Sequence, residues 1–172
     1  MRWLPFQLNP DLRVEGISRQ AYIEMKFGPG ARRTYDRVAG IGKSLGIDFD
    51  FDAIKVQPNT INAHRLLAYG ACNGREDETA EELFRAYFLE GAVITDLAVL
   101  ADIGARAGVD RAALAAYLAS NEDKAEIAEA DLGARQGGIN GVPFFIFNRR
   151  VAVSGAQEPD VLLAAMVEAL KN

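Results

Sequence analysis

Few residues in this chain have side chains suited to chemistry, and their types and spacing limit what each could do. The 172 residues contain one cysteine, Cys72, and one histidine, His64. A single thiol permits neither an intrachain disulfide nor a Cys-x-x-Cys redox pair, and one Cys with one His cannot supply an ordinary zinc set. No metal and no cofactor is expected. His64 is the natural general base. No Ser or Cys nucleophile and no orienting carboxylate stands near it in sequence, so a packed or solvated helix histidine is the simpler reading. Cys72, in Tyr69-Gly70-Ala71-Cys72-Asn73-Gly74, falls near the end of a helix. There the negative pole of the dipole disfavours a thiolate, and a buried, inert thiol is expected. No residue of the chain is assigned a catalytic role.

Binding chemistry is better represented. Gly137-Gly138-Ile139-Asn140-Gly141-Val142-Pro143 leads into Phe144-Phe145-Ile146-Phe147, a run of strand-forming residues opened by a proline whose missing N–H costs nothing at a strand end. By base rate alone Val142–Pro143 is trans, since only ~5–6% of X–Pro bonds are cis. Ser154-Gly155-Ala156-Gln157 precedes the last helix, where free N–H groups could hold an anion or serve as a plain cap. Asn59, in Pro58-Asn59-Thr60, either faces a groove or caps the helix that follows.

These residues need elements to position them. A strand is predicted over residues 2–8. Ser18 caps a helix over 19–27 that Gly28-Pro29-Gly30 ends, and a second helix covers 31–45. Residues 47–54 alternate apolar and acidic types but read as an extended loop. A helix starts after Asn59. Thr79-Ala80-Glu81-Glu82 has capping-box spacing, with the stripe Leu83, Phe84, Tyr87, Phe88 behind it. Further helices are predicted over 96–107, 110–120 and 122–136, with Asp110 and Asn121 as N-caps and Gly108 as a stop. Asn148-Arg149 closes a hairpin between 144–147 and 151–153, and an amphipathic helix from Val161 to Leu170 ends the chain.

Gly-Val-Pro, strand, turn, strand, Ser-Gly-Ala-Gln, helix resembles the C-terminal half of a thioredoxin fold, and within it the DsbA-like group called FrnE-like. Arg2-Trp3-Leu4-Pro5-Phe6-Gln7-Leu8-Asn9-Pro10 is similar to that group's second strand. Pro58-Asn59-Thr60 with Ala63-His64-Arg65-Leu66-Leu67, and Leu83-Phe84-Arg85-Ala86-Tyr87-Phe88, resemble its helical insertion. The resemblance implies an α/β protein: an incomplete thioredoxin fold with a large α-helical insertion. Residues 1–17 and 121–172 would form the thioredoxin-like domain and 18–120 the insertion. It also implies a cis bond at Val142–Pro143 and a substrate-binding surface of Gly141, Val142, Pro143, Asn59 and Ser154. The strand and helix that carry Cys-Pro-Trp-Cys in that group have no counterpart here. In the complete fold that strand lies between the second strand and the hairpin. Three remedies stand open: a start upstream of Met1, completion by a partner chain or rearranged edge, or direct pairing of the hairpin with residues 2–8.

Composition narrows the function. Net charge −5 argues against a nucleic-acid surface, and no apolar run approaches the ~18 residues that span a bilayer. Without a secretory pattern a cytoplasmic location is expected. The resemblance implies a thiol–disulfide oxidoreductase or isomerase without dithiol activity in these 172 residues, acting on a disulfide-containing peptide or protein. A non-catalytic peptide- or partner-binding module, including a homodimer, is the alternative. A glutathione-dependent isomerase or transferase is disfavoured, because those relatives carry an Asp-containing loop where this chain has Gly-Ala-Gln.

Overall fold

The structure, a computed structural model, describes residues 1–27 and 31–171, so the stop predicted at 28–30 lies outside the described residues. In chain order the elements are β1 (Ile17–Ser18), α1 (Arg19–Phe27), α2 (Ala31–Ser44), β2 (Val56–Gln57), α3 (Ile61–Cys72), α4 (Glu76–Phe88), α5 (Leu97–Arg106), α6 (Arg111–Ala119), α7 (Lys124–Gln136), β3 (Phe144–Phe147), β4 (Val151–Ser154) and α8 (Pro159–Leu170).

Helix α3 is the centre of the helical body and packs against α4, α5, α6 and α7. Leu66 of α3 is fully buried with Leu100 and Ile103 of α5 and Leu114 of α6. Apolar residues at helical spacing thus meet in one core. Asp96 and Asp110 cap α5 and α6, accepting from the N–H groups of Ala98 and Val99 and of Ala113 respectively. Two crossings are closer than a Cβ allows. A methyl on Gly70 would collide with Thr79, and one on Gly104 with Leu114.

Arg65 closes the end of α6 from inside the core. It is fully buried, and its guanidinium donates to the carbonyls of Glu122 (2.8 Å), Leu118 (3.0 Å), Tyr117 (2.7 Å) and Ser120 (3.2 Å) and to Asn62 Oδ1 (3.0 Å). The carbonyls left free where a helix stops carry partial negative charge. A planar cation with five donors is matched to such a cluster.

Several expectations are corrected here. Residues 2–8 join no ladder. Their hydrogen-bonding groups are taken up by side chains: Trp3 N–H by Glu76, and Gln7 N–H by Asp131. Thr79 caps nothing. Helix α4 begins one turn earlier at Glu76, and Thr79 lies buried within it, donating its hydroxyl to the Arg75 carbonyl at 2.6 Å. Asn121 is not the cap of α7, which starts at Lys124 behind Asp123. Asp123 sits at φ 59 and accepts from the Tyr117 hydroxyl at 2.7 Å. Cys72 is exposed, not buried. An unforeseen two-stranded ladder joins β1 to β2 through Ile17–Gln57 and Ser18–Val56.

The hairpin forms where predicted, with Phe144 opposite Ser154 and Phe147 opposite Val151. Asn148 (φ 49) and Arg149 (φ 56) are both left-handed, and Arg150 N–H returns to the Phe147 carbonyl at 3.0 Å. Positive φ at both central residues is what the twist of a tight hairpin demands. Asn148 and Arg150 also donate to the carbonyls of Ala169 and Lys171, fixing the turn to the end of α8. Among the described residues no strand or helix of this hairpin–α8 unit packs against α1 to α7. The hairpin does not pair with residues 2–8, which removes the third remedy.

Candidate functional site

Helix α7 stops at Gln136. Gly137 N–H closes on the Gly133 carbonyl, Ile139 N–H on that of Ala134, and Gly138 turns the chain at φ 88. A positive φ here favours glycine, which accounts for Gly138, while Gly137 keeps a φ of −74. The chain then passes Gly141 and enters Val142–Pro143, whose peptide bond is cis. The Pro143 carbonyl accepts from Gly155 N–H at 2.9 Å. In an antiparallel ladder alternate residues turn their N–H and C=O to the partner strand. Pro143, Phe145 and Phe147 therefore face β4, and the N–H and C=O of Phe144 and Ile146 face the opposite edge. No strand occupies that edge among the described residues. Val142 is 51% exposed and Ile146 49%.

Gly141, Val142, Pro143 and Ser154 thus lie together. Ser154 pairs across the ladder with Phe144, next to the Gly155–Pro143 bond. Asn59 is not part of this corner. It is buried, donates to the carbonyls of Pro10 (3.2 Å) and Leu12 (2.8 Å), and accepts from Ile61 N–H (3.0 Å). Its amide is occupied in pinning the N-terminal segment to the start of α3. At the start of α8, Glu158 is the N-cap residue without a side-chain cap bond, Asp160 lies in the first turn near the positive end of the helix, and Gln157 donates to the Ser154 carbonyl. Two carboxylates there oppose a second anion.

His64 lies apart from the corner, half-buried, with Nε2 3.3 Å from the Phe6 carbonyl. Burial pushes its pKa down, while the Phe6 carbonyl and the nearby Asp131 carboxylate oppose this. The neutral ring with its proton on Nε2 donates to Phe6. Asp131 accepts from Gln7 N–H at 2.7 Å and pairs with Arg135, which also donates to the Gln7 carbonyl and lies over the Phe6 ring. His64, Asp131 and Arg135 therefore clamp Phe6-Gln7 onto α3 and α7. Sequence reasoning missed this clamp, although Asp131 and Arg135 have the i, i+4 spacing of a helix ion pair. Cys72 is the last residue of α3. The described residues hold no group of His, Cys, Asp and Glu that could bind a metal, and no described helix is long and apolar enough to cross a membrane.

The corner, the hairpin and the helical body all have relatives. The crystal structure of a probable DsbA oxidoreductase from Streptomyces coelicolor superposes with a TM-score of 0.85 at 25% identity, covering 95% of this chain and 72% of that one. The fold is thioredoxin-like, mixed α/β with mostly helical content. No curated protein matches the sequence significantly. The model of the DSBA-like thioredoxin domain matches residues 1–167, and the chain belongs to that family.

Proposed function

We propose that the chain is the substrate-holding scaffold of a thiol–disulfide oxidoreductase or isomerase of the FrnE-like branch. In this reading residues 1–17 and 121–172 form the thioredoxin-like part and 18–120 the helical insertion. A disulfide-bearing polypeptide docks in extended form on the main chain of Val142 ahead of Pro143, beside Gly141 and Ser154, as an added strand does. The observation that carries the reading is the exposed Val142–Pro143 corner, which leads into a strand edge with free backbone groups.

Net reduction of a disulfide needs two thiols. One thiolate attacks a substrate sulfur and expels the other as a thiolate. A second thiol then attacks the mixed disulfide, so that the enzyme dithiol is oxidised and the substrate disulfide reduced by two electrons. Cys72 supplies one sulfur only, at the far end of α3. The 172 residues therefore hold substrate, and the dithiol comes from outside them.

An insulin-reduction assay tests this. The chain and its Cys72→Ser variant should both stay at the background of the added reductant. Fusion of a DsbA-type strand–helix segment carrying Cys-x-x-Cys ahead of Met1 should restore turnover. Turnover by the Cys72→Ser chain alone at the rate of a dithiol relative would refute the assignment. A second reading, a non-catalytic peptide-binding module, draws on the same open edge. It predicts that the fusion stays inactive while a cysteine-free extended peptide still shifts the amide resonances of Val142 and Phe144.

A further inference from the structure

Helix α2 is held from one side. Its Tyr35 ring lies 5.2 Å from that of Phe51, and a methyl on Gly42 would collide with the Phe49 ring, so this face sits close against residues 49–51. Among the described helices and strands α2 packs only with α1. A second apolar stripe, Val38, Ile41 and Leu45 just past the helix end, follows the spacing i, i+3, i+7 and stays in solvent at 39%, 51% and 72% exposure. This is not where the upstream strand belongs: residues 2–8 are bonded to α3, α4 and α7, and β3 and β4 do not reach α2. Arg33 and Arg37 run beside the stripe, one turn apart, and with Thr34 and Val38 they line an open cleft of about 370 Å³. Among the described residues neither guanidinium has a carboxylate or carbonyl partner, whereas Arg75, Arg85, Arg106, Arg111 and Arg135 are all in ion pairs. In sequence α2 sets Arg32, Arg33, Arg37 and Lys43 against Asp36 alone, within a chain of net charge −5.

We propose that this flank of α2 docks an acidic amphipathic helix of a partner protein. Residues one turn apart on a helix stand ~5–6 Å apart at Cβ. Carboxylates at i and i+4 of the partner therefore meet Arg33 and Arg37 together, each in the two-bond geometry that a guanidinium fork offers. Apolar residues beside those carboxylates cover Val38, Ile41 and Leu45, which have the spacing of anchors in a helix-to-helix contact. The charge pairs select the partner, and the apolar stripe supplies most of the affinity. A flat anionic bilayer or a nucleic acid fits less well. Either would bring its negative charge against the neighbouring carboxylates Asp36 and Asp48 as well, on a chain already in excess of acid. A narrow helix engages the strip alone. The surface is separate from the Val142–Pro143 corner, and the inference does not depend on the function proposed there.

Fluorescence anisotropy tests this with a labelled helical peptide about as long as α2, carrying glutamates one turn apart beside a leucine stripe. The chain should bind it, and should bind the same peptide with lysines in place of the glutamates about tenfold more weakly. The double variant Arg33→Glu/Arg37→Glu should reverse that order and prefer the lysine peptide. Ile41→Ser should weaken both peptides, because it removes apolar contact and no charge. Arg111→Glu makes the same change of sign on α6, which does not touch α2, and should leave the preference as it is. These positions are exposed, so each variant keeps the fold. No binding, equal binding of the two peptides, no reversal by the double variant, or loss of the preference in Arg111→Glu would overturn the proposal. Co-sedimentation with phosphatidylserine vesicles that the double variant abolishes would assign the strip to a membrane and overturn it too.

Discussion

Replacing Arg65 by Met should cost about 4 kcal/mol, because its guanidinium is the shared partner of carbonyls from α6 and the α6–α7 connection. The Tyr117 carbonyl keeps a donor, since Ser120 N–H reaches it at 3.1 Å and the Ser120 hydroxyl at 2.7 Å. The carbonyls of Leu118, Ser120 and Glu122 lose the arginine. The Leu118 bond is buried, and an orphaned acceptor there costs about 2 kcal/mol; the Ser120 and Glu122 bonds are partly exposed, so water limits each loss to about 1 kcal/mol. Met retains most of the buried stem and removes the desolvation cost of the cation, which keeps the total from rising further. Lys keeps the charge but has no planar fork, and about half of the loss should remain. Urea unfolding at unchanged m is the assay. With m of about 2 kcal/mol/M the midpoint should fall by about 2 M for Arg65→Met and by about 1 M for Arg65→Lys. A fall below about 0.5 M for Arg65→Met, or equal falls for the two variants, would refute the claim that the forked cation holds this junction.

Two further outcomes follow from the core and the clamp. His64 has its pKa lowered by burial, so between the unfolded value of ~6.5 and the lower folded one the unfolded chain binds more protons. Stability should be fully present above that window and fall as pH drops through it. His64→Gln, which retains a donor for the Phe6 carbonyl, should flatten this slope in urea titrations between pH 7.5 and 5; an unchanged slope would place the proton uptake elsewhere. Gly70→Ala gains helix propensity of about 1 kcal/mol but drives a methyl into the hydroxyl of buried Thr79, a net destabilisation of about 1–3 kcal/mol, and Thr79→Ala in the same chain, which removes that hydroxyl, should recover part of the lost melting temperature.

Much of the local structure was legible because it is set by neighbours in sequence. The left-handed pair Asn148-Arg149 marks a hairpin, Asp96 and Asp110 stand one residue ahead of helices, and Gly137-Gly138 follows one. Where the reading failed, distant residues had overridden the local signal. The capping-box spacing at Thr79 was real, but Gly70 admits Thr79 against α3, and the helix continues back to Glu76. Residues 2–8 have the apolar character of a strand. Side chains of Glu76 and Asp131 and the His64 ring take their backbone groups instead, so no ladder forms. Asn59 looked equally suited to groove or cap, and only its bonds to Pro10 and Leu12 decided for a structural pin.

By itself the sequence determined that the chain has too few thiols for dithiol exchange, that Val142–Pro143 opens a strand, and that a hairpin and helix follow. Those properties depend on residue identity and on contacts a few positions apart. Only the tertiary structure decided which distant groups find one another. The clamp on Phe6-Gln7 and the enclosure of Arg65 arise from segments far apart in the chain, and hydrogen bonds between such segments leave no periodic trace in sequence.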